Sequence, residues 1–546
     1  MARNSAELLG VPDELQYWIP GEMVVVVQLP RRLAEDEQDV LAEQVRGQLN
    51  ALLAPHNLVV ETYGNYGRWR ATPTMPPVRR RAFIFGLHRQ QPLASIFFHV
   101  RHTDPAVTDP MPLAISHLQM RLEQMAQVGL QIVSIMPNWL VTAAPVHYSA
   151  GGPTLPPRPA PSLDVAATAK EKIPLGWHTS FVEQGALLDP SGGQDVMIAV
   201  LDTAHHPDRI LSAASRPEFQ RHWLLQRLAN DLRSENGAFE INYDRYPLAN
   251  DVRTGRDRYG EASYYMMPDH GIFVSGIIRD LIPRARIRLI RILNDYGGCD
   301  LYNLFAALTD LEKELVATSI RRLVINLSLT VMPDALRLPY VWFDNRQWAS
   351  AQLASVTHVL AHIEEGLRLL FESLFAQGAL IVAAAGNDSQ MANKQGQRIR
   401  PPRAPARFGT TVSATSVNSR SRPSLFANMA GTPSSNTGVA TFGGDSDGLV
   451  DANGLPDAVR GVYISPVFPS NQQNTSGWAD WSGSSFSAAI ISALAGHLMA
   501  QGLSASNTLS RLTAGREQRT DRLYGSRLEA PTLLANIIRA QQRFGL

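Results

Sequence analysis

The chain has 546 residues, 45% of them hydrophobic and 18% charged, a composition that excludes wholesale disorder and leaves room for about two to four domains. Fifty Lys and Arg stand against forty-nine Asp and Glu, a net charge of +1, so no global field draws nucleic acid or an anionic membrane. The single cysteine, Cys299, excludes internal disulfides and cysteine-cluster metal sites. No stretch approaches about eighteen consecutive apolar residues, and the first twenty hold no apolar run of signal-peptide length, so no membrane span and a cytoplasmic address are expected.

Taken in chain order, Gly21–Leu29 (GEMVVVVQL) reads as a buried strand and Glu35–Ala54 as an amphipathic helix with Leu41, Val45, Leu49 and Leu52 on one stripe. Strand-like runs follow at Leu58–Glu61, Ala82–Leu87 and Ala94–Val100. A helix is expected over Pro112–Val128 and a closing strand at Gln131–Ile135. Strands alternating with two helices suggest a small ferredoxin-like α/β domain over residues 1–148. Five prolines in the nine residues from Pro153 to Pro161 mark a stiff linker, 149–168, that should not join a core.

The remainder, 169–546, repeats strand and helix. Val196–Leu201, Ile287–Leu293, Leu323–Leu329 and Ala379–Ala385 are near-continuous apolar runs suited to a parallel sheet covered on both faces. Helices are expected at His270–Asp280, Leu301–Val316, Ser350–Gln377 and Ser485–Gln501. The fold class is therefore α/β, a doubly wound parallel sheet whose sites gather at the carboxyl ends of the strands.

Reactive groups stand at those ends. Asp202 closes VMIAVLD, His270 opens a helix in PDHGIFVSGII, Asn387 follows LIVAAAGND, and Ser485 lies in WSGSSFSAAIISALAG. A serine is a poor nucleophile until an imidazole takes its proton, and that imidazole needs a carboxylate to hold its tautomer. Each residue alone also has an ordinary structural reading: helix cap, core imidazole or turn residue. The order Asp…His…Ser, with VLDTAHHPD, HGIFVSGII, VINLSL, AAAGND and GSSFSAA in sequence, resembles the subtilisin-like serine proteases, the subtilase family. YGSRLEAPTLL resembles that family's closing helix, so the similarity runs from Lys172 to about Ile537.

The resemblance implies a subtilisin-like catalytic domain that hydrolyses peptide bonds, with Asp202, His270 and Ser485 as the triad and Asn387 as oxyanion donor. Extended substrate would lie along Ser328, Leu329 and Thr330 and near Ala384, Ala385 and Gly386. WIPGEMVVVVQL and QIVSIMPNWLVTAAP resemble the first and last strands of a subtilase prodomain of the fervidolysin-like kind. That implies a zymogen whose N-terminal domain is an intramolecular inhibitor, with Tyr148–Ser149 the favoured bond for self-processing. An unrelated α/β adaptor is the other reading of this domain, and a catalytically impaired peptide-binding scaffold the other reading of the whole.

The sequence departs from the family pattern at Ala204, Ile272, Phe273, Thr330, Ser484 and Ala489. About residues 209–265 form an insertion between the acid and the base. No cofactor is required by this chemistry. The loop GGDSDGLVDANGLPD offers Asp445, Asp447 and Asp451 as oxygen ligands of the kind calcium prefers, without EF-hand spacing, and the same residues simply make turns. RWRATPTMPPVRRR mixes Trp with Arg, but a basic loop beside prolines is first a solvated surface, so nucleic acid is not an expected partner. Asp388 suggests a basic or polar side chain at P1, the substrate residue on the acyl side of the cut.

Overall fold

The computed structural model describes residues 17–62, 82–119, 121, 131–143, 156–160, 193, 195–246, 266–317, 319–331, 338–343, 357–389, 399–420, 422–431, 437–445, 457–513, 519–521 and 525–527. The N-terminal domain runs β1 (Trp18–Gln28), α1 (Glu35–Leu53), β2 (Leu58–Thr62), β3 (Ala82–Phe85), β4 (Leu93–His102), α2 (Met111–Gln119) and β5 (Ile132–Thr142). Its antiparallel sheet has the order β5-β1-β4-β2, with β3 continuing along the edge of β4 that β2 begins. That is the ferredoxin-like order with its second strand split in two.

Val24, Val25, Val26 and Val27 are all buried, although an antiparallel sheet usually wets one face. Here both faces are covered. Leu49 and Leu118 belong to the core that the sheet shares with α1 and α2, while the second domain lies against the other face. The closing strand is longer than its sequence suggested: Pro137 does not end it, and β5 runs on to Thr142.

The proline-rich stretch also departs from expectation. Arg158–Pro159 forms β6, a short edge strand whose partner is Trp478–Trp481, and Ala160 is buried. Proline is tolerated at a sheet edge because its missing N–H need not face a partner.

The second domain continues with β7 (Met197–Asp202), α3 (Pro207–Ala214), α4 (Trp223–Arg233), β8 (Phe239–Asn242), α5 (His270–Leu281), β9 (Arg286–Arg291), β10 (Gly298–Asp300), α6 (Leu301–Val316), β11 (Leu323–Leu327) and β12 (Thr330–Val331). Then come α7 (Thr357–Ala376), β13 (Ala379–Ala384), β14 (Thr411–Val417), β15 (Gly438–Phe442), β16 (Val459–Val462), β17 (Trp478–Trp481), α8 (Ser484–Ala500), α9 (Ala505–Thr513), β18 (Arg519–Asp521) and β19 (Gly525–Arg527). The main sheet has the order β18-β19-β15-β14-β13-β11-β7-β9-β8 and is parallel apart from the β18–β19 hairpin.

The insertion supplies α3, α4 and the edge strand β8. His222 ties it down. Its Nδ1 accepts from Leu225 N at the start of α4, its Nε2 donates to Gly477 O, and its ring stacks on Trp478 at 3.6 Å. Among the described residues no helix is long and apolar enough to cross a membrane.

The two domains meet over an extensive buried face. Phe83 and Phe97 pack edge-on to Tyr302, and Phe85 and Phe97 against Phe305. Trp18, Trp139 and Trp342 cluster, with Trp139 Nε1 donating to Ile363 O at 3.1 Å. Glu312 on α6 is wholly buried and accepts from Gly86 N at 3.0 Å, Leu87 N, Ser373 Oγ and Gln377 Nε2. Burial raises its carboxyl above the ordinary range, although these hydrogen bonds oppose the rise.

Candidate active site

Asp202 ends β7 and His270 begins α5, and both are fully buried. His270 Nδ1 lies 2.8 Å from Asp202 Oδ1 and 3.0 Å from Oδ2, so the ring donates Nδ1–H to the carboxylate. Thr203 fastens the two elements: its N–H donates to Asp202 Oδ1 at 2.6 Å, and its hydroxyl accepts from Gly271 N at 3.1 Å. Only glycine fits at 271, because a Cβ there would lie 2.0 Å from Thr203 O.

The imidazole sits in an aromatic cage. Trp481 packs edge-on at 5.4 Å and Phe486 at 5.8 Å. Phe273, one of the departures from the family pattern, completes the cage against Trp481 and Phe486. Gly461 makes room for it, since a Cβ there would meet the Phe273 ring at 2.8 Å.

Ser485 lies in the first turn of α8 and is fully buried. Its hydroxyl donates to Ser328 O at 3.4 Å, and Ser328 Oγ donates back to Ser485 O at 3.0 Å. His270 Nε2 is buried with no hydrogen-bond partner, so the expected approach of Ser485 to the second ring nitrogen is not made in this state. The hydroxyl is a free rotor, and here it takes the carbonyl of Ser328 instead. Asn387 follows β13, and its Oδ1 accepts from Ser484 N at 3.0 Å, which fixes the orientation of the amide.

The expected substrate strand is occupied by the N-terminal domain. β5 pairs antiparallel with β10 (Cys299↔Val141, Asp300↔Leu140) and with β12 (Thr330↔Thr142, Val331↔Val141). Ala143 N donates to Gly297 O at 2.8 Å, and Thr330 Oγ1 to Thr142 O at 3.3 Å. Asn138 closes the junction: it donates to Glu22 at 2.7 Å and to Asp300 at 3.2 Å, and its Oδ1 accepts from Leu301 N at the start of α6.

Ala384, Ala385 and Gly386 are buried at the end of β13, with Gly386 at φ +112°. Asp388 presents no isolated negative charge toward substrate. Its Oδ1 lies 3.6 Å from Arg403 Nη1, and Asn428 Nδ2 donates to its Oδ2 at 2.9 Å.

Sequence reasoning missed several supporting groups. Asp269, next to the catalytic-position histidine, accepts from Ile464 N at 2.6 Å, Ser465 N at 3.1 Å and Ser465 Oγ, and faces His205 Nε2 at 3.3 Å. Burial acts to raise its carboxyl, but His205 and these donors outweigh that and hold it below the ordinary range. Its side chain is adjacent to His270 in sequence, but its partners are about 60 and 195 residues away, so no local signal could find them.

Of the residues suggested as calcium ligands, only Asp445 is described. Asp445 accepts from Asn418 Nδ2 and Leu425 N, while Asp447 and Asp451 lie outside the described residues. Among the described residues no three His, Cys, Asp or Glu side chains gather as a metal would need. Tyr148 and Ser149 also lie outside the described residues.

Comparison with curated proteins returns no match. Among solved structures, one titled as a lanthipeptide protease aligns at 16% identity and a TM-score of 0.42, covering 70% of this chain and 100% of that one, a likeness too remote to carry an argument. The model of the subtilase family matches residues 193–525, more than half of the chain and the segment holding Asp202, His270, Asn387 and Ser485, so the chain belongs to the subtilase family of serine peptidases.

Proposed function

We propose that the protein is a serine endopeptidase held inactive by its own N-terminal domain. The observation that carries the reading is the buried Asp202–His270 pair, whose far ring nitrogen has no protein partner and whose ring packs 5.8 Å from that of Phe486, the residue after Ser485 on α8. In turnover the Ser485 hydroxyl turns from Ser328 O to His270 Nε2 and gives up its proton as Oγ attacks the peptide carbonyl. Asn387 and the Ser485 N–H take the developing oxyanion, and Asp202 stabilises the imidazolium. His270 then protonates the leaving amine, and water repeats the sequence on the acyl-enzyme. Asp202 orients and does not itself accept the proton.

The pairing of β5 with β10 and β12 supports both remaining parts of the reading. A strand that enters between two edges and runs through is how an endopeptidase would hold extended protein substrate. The same seats, filled from within the chain, exclude other peptides. Tyr148 lies six residues beyond Thr142 in the sequence, and cleavage at Tyr148–Ser149 is the self-processing step of this reading.

A fluorophosphonate probe tests the enzyme reading: labelling on displacement of the N-terminal domain, absent in Ser485→Ala, supports it. A chain that folds, releases that domain and is never labelled is instead a peptide-binding scaffold. Mass spectrometry of wild type beside Ser485→Ala tests self-processing, and the same cut in both proteins would refute it.

A further inference from the structure

β11 and β13 pair side by side as far as Leu327 and Ala383, then diverge into Ser328–Thr330 on one side and Ala385–Asp388 on the other. Two hydrogen bonds close the far end of the gap between them: Arg403 N donates to Ala385 O at 3.0 Å, and Val331 N donates to Ala404 O at 2.7 Å. A peptide carbonyl seated between Ser485 and Asn387 would hang its own side chain in this gap. Arg403 starts from the closed end, is 1% exposed, and carries its guanidinium to within 3.6 Å of Asp388, the residue after Asn387. Asp388 is itself pinned by Asn428 at both its N–H and its Oδ2, so the pair has little freedom to swing aside.

We propose that the Arg403–Asp388 pair sets P1 specificity, shortening the gap so that the enzyme cuts after small uncharged residues. An Arg side chain laid along the Ala385–Asp388 wall fills space that a large P1 residue would need. Because each charge answers the other, neither a cationic nor an anionic P1 side chain finds an uncompensated partner. Displacing one member would strand the other in a buried site. This inference rests on the endopeptidase reading above and deepens it.

The test uses the full chain carrying Gly366→Leu, a substitution expected to loosen the N-terminal domain because a Cβ at 366 would stand 2.6 Å from Val26 Cγ2, and a peptide library varied only at P1. The expected kcat/KM is at least tenfold higher with Ala or Ser at P1 than with Phe, Leu, Arg or Glu. Adding Arg403→Ala together with Asp388→Asn, so that no charge is stranded, should raise the Phe-to-Ala ratio at least tenfold, while Arg403→Lys should keep the small-residue preference. A large, basic or acidic P1 preference in the parent, or an unchanged ratio in the double variant, overturns the proposal. Fluorophosphonate labelling of Ser485 in each variant separates the two levels: labelled proteins with the wrong P1 profile refute the specificity alone, and a parent that stays unlabelled although its Cys299 has become reactive, and so has released the N-terminal domain, refutes the hydrolase reading beneath it.

Discussion

Gly366 lies on α7 where the N-terminal sheet rests on it. A Cβ there would stand 2.6 Å from Val26 Cγ2, 2.9 Å from Met136 Cε and 3.2 Å from Ser134 Oγ. Gly366→Leu therefore wedges the two domains apart. The helix itself is not weakened, since Leu is favoured over Gly in a helix by up to about 1 kcal/mol. Overpacking a fitted contact costs about 1–3 kcal/mol. At 1.4 kcal/mol per factor of ten, the released form should become about 5- to 150-fold more populated. When docking exchanges faster than labelling, the rate of fluorophosphonate reaction at Ser485 rises by the same factor. Cys299 gives a second readout: it is buried on β10 opposite Val141, and burial with the neighbouring Asp300 charge raises its thiol well above the ordinary value. Its reaction with a disulfide reagent should accelerate in parallel. Unchanged rates at both sites in a folded variant would refute the view that this face holds the tail in the cleft.

Asn387→Ala should lower kcat about 10²–10³-fold with little change in KM, a magnitude known from this same family for loss of one oxyanion donor; an unaffected kcat would remove Asn387 from the chemistry. Asp280, near the end of the helix that His270 opens, is pushed up to about 7 by burial, partly opposed by Arg227. A carboxyl raised in the folded state stabilises below its ordinary 3.8 and loses that contribution as pH rises toward 7, about 4 kcal/mol at most. Asp280→Asn should therefore match wild type near pH 4 and exceed it in melting temperature at pH 8; equal curves at both pH values would contradict this. Burial lowers His222 to about 3 against the pull of its bond to Gly477 O, so its contribution is present above pH 6.5 and lost as pH falls toward 3. His222→Asn, which can still cap α4, should flatten the acid side of the stability profile; an unaltered slope would show that His222 is not what titrates.

Much of this protein follows from local patterning. Apolar runs of strand length, separated by helices, specified a parallel α/β sheet before any coordinate, because a strand buried on both faces needs no alternation. Helix Leu301–Val316 carries its own boundaries in Asp300, whose side chain accepts from Asn303 N, and in its run of core residues. The reactive residues were legible because each stands at the end of a strand or the start of a helix within a recognisable motif. Other features depend on partners remote in sequence. The four consecutive buried valines of β1 look like a parallel-sheet strand until α6 and α7 are seen to cover the second face of an antiparallel sheet. The closing strand expected at Gln131–Ile135 runs on through Pro137, because β10 and β12 offer edges that continue the ladder to Thr142. Arg403 lies sixteen residues beyond Asn387 in a stretch without a motif, and only the crossing of its segment from β13 to β12 sets its guanidinium against Asp388. Hydrophobic period and turn chemistry are local and are written along the chain. Which faces and edges those elements present to one another is set by packing between distant segments, and only the tertiary structure decides it.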